Sequence, residues 1–443
     1  MPAPIASRFV SLFAPSRMAR AALVFGAALA GCGGGDSSGS VGNVPTKPGD
    51  DGGASNDDGA AGAVDDGGNG VVDGGKPLDA GGPFVPATHP AYPQIPRNQG
   101  VVLSGMKLVT IVAANEDPSV ASALFGLADT ITTSAYFTTV GADYGIAPPA
   151  QSVHITGGTV SSDMTAAQMV TFISSAIQNH PEAAVSANVF YMLYLPQGYW
   201  DVTSQGTNTN CQLGHGGYHT VTQNGTPWGM AIHCPGGLSR IQDLGISGSH
   251  EIVEAASDPQ PGSGYRMPSF NAQAPWTGTP WTFGSGGENG DLCFGTSTYV
   301  SGFKLQRIWS NTAAAAGGDP CLPAIGEPFY NVSAPQSWYT VPAGGTVQVP
   351  LTGYSDKKVA DWIVQAAAIT SKVSGFSAAI TSATSLTIGG AKYPSINNSK
   401  PATLTISAPN AASGSWVIFY VYSTSTTGGS DQFHYWPVGA YIQ

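Results

Sequence analysis

A chain of 443 residues is long enough for two or three domains, and 42% hydrophobic residues supply material for real cores. Only 10% of the residues are charged, while Gly numbers 59 and Pro 33, which suits a β- and loop-rich extracellular protein better than a cytosolic one. The net charge of −11 argues against nucleic acid, which selects basic surfaces.

The chain opens with Arg8, Arg17 and Arg20 and no acid, followed by an apolar run from Ala21 to Ala30 that is too short to span a bilayer. Leu29-Ala30-Gly31-Cys32 closes it. A basic start, a short apolar stretch and small residues before a Cys read as a lipoprotein signal over residues 1–31, with Cys32 acylated as the mature N-terminus. The alternative, a plain signal with an incidental Cys, leaves the fifth cysteine unexplained. Gly33 rather than Asp follows the Cys, so nothing marks inner-membrane retention. The expected location is exported, anchored by lipid to the outer membrane or cell surface, with the membrane as a partner. Residues 32–85 are Gly, Ala, Ser and Asp, with nine Asp from Asp36 to Asp79 against Lys47 and Lys76. Such a segment cannot offset its ordering entropy by burial and reads as a disordered tether. Its DDGG-type runs are at most weak calcium ligands, since no twelve-residue EF-hand loop is present.

Ordered structure is expected from Phe84–Pro96 onward, with an α/β domain over residues 86–323. Met106 to Ala113 reads as a buried strand and Asp117 to Ile131 as a helix through Val120, Leu124 and Leu127. Tyr136 to Gly145 reads as a turn into a strand. A second helix starts at Thr165, capped by Asp163 or Thr165, and stops before Pro181. Val189 to Leu195 and Trp228 to His233 read as strands, and a helix follows from about Ser239 to Ser257. The alternation suggests an α/β core. An irregular loop from Gln260 to Gly287 carries Tyr265, Trp276, Trp281 and Phe283, enough aromatics to line a groove for a peptide or glycan. A strand is expected from Phe303 to Trp309. Beyond Pro323, residues 324–443 alternate polar and apolar with turn signals every eight to twelve residues, which predicts an all-β immunoglobulin-like sandwich. Its expected role is stability or spacing; surface adhesion is the alternative.

Chemistry concentrates in Ser247–Pro259, SGSHEIVEAASDP. On a helix, His250 and Glu254 stand one turn apart on one face and can ligate one cation, while Glu251 can act as general base on a metal-bound water. This is the layout of a zincin-like HExxH helix with Glu in place of the second His. Glu288 is the first choice for a third ligand, His219 the second and Asp291 the third. His219 or Tyr218 can stabilise an oxyanion, and Asp258 and Asp291 would support the ligands. Zinc is the expected cofactor, but a site with more carboxylates than imidazoles is harder and also admits calcium or manganese. The bland alternative is a buried polar network with no metal. No GxSxG elbow supports a serine hydrolase, and a glycosidase using Glu251 and Glu288 is a weaker third reading. Cys211, Cys234, Cys293 and Cys321 fall into two sequence-local pairs. In an exported chain disulfides are expected, although four cysteines allow three connectivities and cysteine-ligated zinc is an alternative without CxxC support.

KLVTIV, YMLYLP, GYHT, AIHCP, SHEIVEAASDP, ENGDLC and FKLQRIWSN occur in an order and spacing that resembles the EXORDIUM / phosphate-induced protein 1 family over residues of about 100 to 323. The matching site residues are His219, His250, Glu251, Glu254, Glu288, Asp291 and the four cysteines. Asp258 stands where plant members often have Asn. The resemblance implies an extracellular protein linked to growth responses in plants and brings no settled enzymatic activity. The expectation is therefore either a metallopeptidase using Glu251 or a non-enzymatic binding module whose His/Glu cluster is structural.

Overall fold

A computed structural model describes residues 83–199, 216–234, 238–271, 273–282, 287–369, 375–388, 390–425 and 433–442. The signal segment, Cys32, almost all of the tether, Cys211 and Phe283 lie outside them. Among the described residues no helix is long and apolar enough to cross a membrane.

The first region is built on a sheet of β1 (Lys107–Val112), β2 (Gln151–Thr156), β3 (Val189–Tyr194), β4 (Gly217–Val221) and β5 (Pro227–Ala231), in the order β2-β1-β3-β5-β4. The strands run parallel except β4, which pairs antiparallel with β5 at the edge. The central strands read as continuous apolar runs because both faces are covered. Leu108 and Val112 face one core with Phe190, Met192 and Tyr194; Val109 and Ile111 face the other with Tyr191 and Leu193. β2 is mostly exposed at the opposite edge, so it lacks the apolar run that marks β1 and β3.

Helices α1 (Pro118–Thr133), α2 (Ala135–Gly141), α3 (Ala166–Ile177) and α4 (Arg240–Ser257) complete the layers. Asp117 caps α1, and Thr165 with Gln168 forms a capping box on α3. Tyr136–Tyr144 is helical, α2 running on into a 3₁₀ turn that Gly145 ends at positive φ, and not a turn into a strand. Ser134 caps it, and Tyr136, Phe137 and Val140 are buried at helical spacing. α4 begins with a second capping box, Ser239 with Gln242. An ion pair that local spacing does not reveal, Arg240 with Glu116, ties its first turn to the loop between β1 and α1.

α4 carries two glycines, each costing about 1 kcal/mol of helix propensity. Their use is close approach. A Cβ at Gly245 would lie 2.5 Å from the Lys304 carbonyl oxygen, and one at Gly248 would lie 2.2 Å from the Tyr194 hydroxyl. The helix thus nests between β3 and the hairpin of β6 (Ser297–Val300) and β7 (Phe303–Gln306).

The expected strand Phe303–Trp309 is broken at Arg307, which separates β7 from β8 (Ile308–Trp309). Arg307 is buried, 2.5 Å from Asp319, and donates to the carbonyls of Cys321 and Pro323. α5 (Asn311–Ala315) then leads to β9 (Cys321–Leu322), which pairs with β8.

The second region is mostly β. β10 (Tyr330–Ser333), β11 (Trp338–Val341), β12 (Thr346–Ser355), β13 (Trp362–Ala368), β14 (Ser377–Ser382), β15 (Thr384–Ile388), β16 (Ala391–Ile396), β17 (Pro401–Ser407), β18 (Trp416–Thr424) and β19 (Phe433–Ile442) form two sheets. Their orders are β10-β12-β17-β14 and β11-β19-β18-β13-β16-β15. β17 alternates buried and less buried positions, as its sequence pattern required. β19 does not alternate and is buried almost throughout. It packs partly against the first region: Tyr435 donates to the Leu292 carbonyl at 3.0 Å.

One apolar cluster runs through both regions. Tyr92, on the proline-rich lead-in, stacks edge-on with Trp281 and Trp309 and tilts against Trp436. The loop aromatics expected to line a groove therefore fill this junction in part: Trp281 is 6% exposed, while Trp276 is 41% exposed and stacks on Tyr441.

Candidate metal centre

Three positions on α4, at 250, 251 and 254, share one stripe at helical spacing, and Asp258 caps the helix just beyond its last residue. Two other segments meet it. β4 brings His219 to the α4 side, because strand alternation sends its neighbour Tyr218 to the opposite face, where its hydroxyl lies 4.0 Å from Met169 Sδ. The turn Glu288–Asp291 brings its acids from the other side and continues into a 3₁₀ turn, Asp291–Cys293. That turn is fixed by a Trp309 N–H bond to the Asn289 carbonyl at 2.8 Å and by the Cys293–Cys321 disulfide. Cys234 is also disulfide-bonded; its expected partner Cys211 is outside the described residues.

The geometry is tight. His250 Nε2 is 3.0 Å from Glu254 Oε2 and 3.9 Å from Asp291 Oδ1. His219 Nδ1 is 3.2 Å from Glu251 Oε2 and 3.7 Å from Glu254 Oε2, and its Nε2 is 3.6 Å from Glu288 Oε1. Glu251 Oε1 lies 4.0 Å from His250 Nε2. The Asp291 N–H donates to Glu254 Oε1 at 3.1 Å, and the Glu288 N–H to Asp291 Oδ2 at 3.0 Å. A Cβ at Gly290 would lie 2.8 Å from both Glu254 Oε1 and His250 Nδ1, so glycine permits this approach.

Asp258 serves differently from its neighbours. Its carboxylate accepts N–H groups of Gly262, Ser263 and Gly264 at 2.5–2.9 Å and folds the chain back after the helix. Its carbonyl oxygen lies 3.1 Å from His219 Nε2. Gln306, which the sequence reading did not single out, orients His250. Its amide N–H donates to the Gly290 carbonyl at 2.6 Å, so its oxygen, 3.1 Å away, accepts from His250 Nδ1. That leaves Nε2 facing the carboxylates, the arrangement that prepares an imidazole for a metal.

The cluster is short of positive charge. Burial, then the charge of Asp291, pushes Glu254 up to about 7 against the opposing pull of His250. Burial and the charges of Glu254 and Asp291 push Glu288 well above the usual carboxylate range. Burial alone would depress both imidazoles. The Glu251 hydrogen bond and charge nevertheless hold His219 above its ordinary value, and the Glu254 and Glu251 charges hold His250 well above. Both ring nitrogens of His219 face only acceptors. Glu288 Oε1, buried beside it, has no hydrogen-bond partner. Protons or a cation must supply the missing charge.

Among the described residues, two donor groups have ligand atoms all within 4.8 Å of one another: His219, Glu254 and Glu288, all buried, and His250, Glu254 and Asp291. The expected set of His250, Glu254 and Glu288 is thus divided between them, with Glu254 common to both. Donor separations of 3.0–3.9 Å match the edges of a coordination sphere with bonds of about 2.0–2.2 Å.

No protein-family model matches this chain, and no curated protein matches it. Among solved structures it is similar to domains 4 and 5 of the S-layer protein SbsC, at 9% identity over 26% of this chain and 53% of that one, TM-score 0.18. It is similar to domain 1 of VCBP3 from Branchiostoma floridae, at 12% identity over 27% and 98%, TM-score 0.19. A beta-glucosidase from Listeria innocua aligns at 10% identity over 79% and 48%, TM-score 0.16. The match thus spans about half of the SbsC domain pair, and scores this low define no shared fold. The chain is an α/β region followed by mostly β sheets, with a buried His/Glu cluster able to hold a metal ion.

Proposed function

We propose that this chain is an exported, lipid-anchored surface metalloprotein, tethered through Cys32 and the Gly/Asp segment. Its α/β region carries a zincin-like helix in an EXORDIUM-like domain, and its β region is an immunoglobulin-like sandwich. The observation that carries the metal reading is Glu288 Oε1: buried, without a hydrogen-bond partner, and 3.6 Å from His219 Nε2. A carboxylate oxygen in that position is costly unless a cation completes it. Imidazole with carboxylates favours zinc or manganese over calcium, which takes all-oxygen sets. Such an ion, once bound, supplies Lewis acidity and lowers the pKa of a bound water. The test is the metal content of the full chain, purified without chelators, for wild type and His219→Ala. Stoichiometric zinc or manganese lost in the variant is expected; a metal-free wild type sinks the reading.

A hydrolytic role, as a peptidase, is the second reading. It is favoured by Glu251, which belongs to neither donor group yet lies 3.2 Å from His219 and 4.0 Å from His250. A carboxylate beside the ligands, and not among them, is placed to take a proton. Glu251→Gln that keeps its metal is expected to lose peptidase activity on a casein substrate. Unchanged activity removes Glu251 from the chemistry and leaves the centre with a structural role.

A further inference from the structure

We infer that the centre holds two divalent cations bridged by Glu254, a conclusion that rests on the metal reading above. The two donor groups share Glu254 and divide the remaining ligands: His219 and Glu288 belong to one, His250 and Asp291 to the other. An ion seated on Glu254 with His219 and Glu288 satisfies the first group and leaves the second facing inward without a cation. Glu254 is held for bridging. Its Oε1 accepts the Asp291 N–H at 3.1 Å, which fixes the carboxylate plane. Its Oε2 faces both imidazoles, 3.0 Å from His250 Nε2 and 3.7 Å from His219 Nδ1.

Each half carries its own sign of a ligand. In the first, Glu288 Oε1 is buried and unpartnered. In the second, Gln306 accepts from His250 Nδ1 and so turns the Nε2 lone pair toward Glu254 and Asp291. Charge points the same way: Glu251, Glu254, Glu288 and Asp291 crowd the cluster, the Asp258 side chain also reaches Glu288, and Arg266 is the cation that acts on Glu288. Such an excess of buried carboxylate favours more than one cation. A shared carboxylate with about 3.5–4 Å between ions is the pattern of two-metal centres, and imidazole–carboxylate donors place zinc or manganese there.

The experiment uses the full chain, loaded separately with zinc chloride and manganese chloride, dialysed, and analysed for metal per folded chain. Two ions are expected for wild type, one for Asp291→Asn, and fewer than one for Glu254→Gln. Electron paramagnetic resonance of the manganese form is expected to show an exchange-coupled pair rather than an isolated six-line spectrum. One ion in wild type with an isolated-ion spectrum overturns the bridged pair and leaves the metalloprotein reading standing. No ion overturns both. Wild-type stoichiometry and spectrum decide the matter even if the Glu254 variant does not fold.

Discussion

Replacing Glu288 by Gln keeps the side chain's shape and removes its charge, so its effect depends on whether a cation is present. In a chelated protein the Glu288 carboxylate is buried, with one oxygen unpartnered and the charges of Glu254 and Asp291 nearby. Burial and those charges already favour the protonated acid there, so its neutral isostere Gln should leave the chelated protein at least as stable as chelated wild type. With metal the sign reverses. An ion at about 1,000 times its Kd stabilises the folded state by about 4 kcal/mol. A hundredfold loss of affinity on removing one carboxylate ligand takes back about 2.7 kcal/mol of that. Each kcal/mol moves Tm by roughly 2–4 °C in a body of this size or somewhat less. Differential scanning calorimetry in zinc chloride and in EDTA gives the four numbers. The expected result is a large zinc-dependent rise for wild type and a rise smaller by roughly 5–10 °C for the variant. Equal rises would refute Glu288 as a ligand. A chelated variant less stable than chelated wild type would show that the carboxylate stabilises the fold without metal, which contradicts the argument.

Gly248→Ala puts a methyl 2.2 Å from the buried Tyr194 hydroxyl, and overpacking of this kind should cost about 1–3 kcal/mol in urea unfolding; an unchanged midpoint would show that α4 does not need this approach. Arg307→Met strands Asp319 and the Cys321 and Pro323 carbonyls and should cost about 3–5 kcal/mol, with Arg307→Lys recovering little because it lacks the planar fork. Burial pushes His434 down to about 4, against about 6.5 unfolded, so the unfolded chain binds the extra proton between those values. Its share of stability, on the order of 3 kcal/mol, is present above pH 6.5 and lost as pH falls to 4. His434→Phe should flatten that limb of a stability–pH profile, and an identical slope would refute the assignment.

Local physics made much of the fold legible. β1 and β3 announce themselves as continuous apolar runs, and α1, α3 and α4 by periodicity and by the caps at Asp117, Thr165 and Ser239. Strands β12 and β17 show in alternation, whereas β18 is buried at most positions and does not alternate as expected. Edge strand β2 and helix α2 do not show, because an exposed edge needs no apolar run and seven residues give too little periodicity.

The sequence by itself determined that His250, Glu251 and Glu254 share a face, because the helix period alone does that. Only tertiary structure decided what meets that face. Strand alternation in β4 chose His219 and turned Tyr218 away. The Glu288–Asp291 turn divided its acids between two donor groups. Gly290 and Gly217 let backbone come close, and Gln306, from a different hairpin, set the orientation of His250. These are contacts between segments 30 or more residues apart, and nothing in local spacing encodes which atoms face one another across such gaps. That Glu254 belongs to two donor groups follows from this three-dimensional arrangement, not from the HExxE pattern.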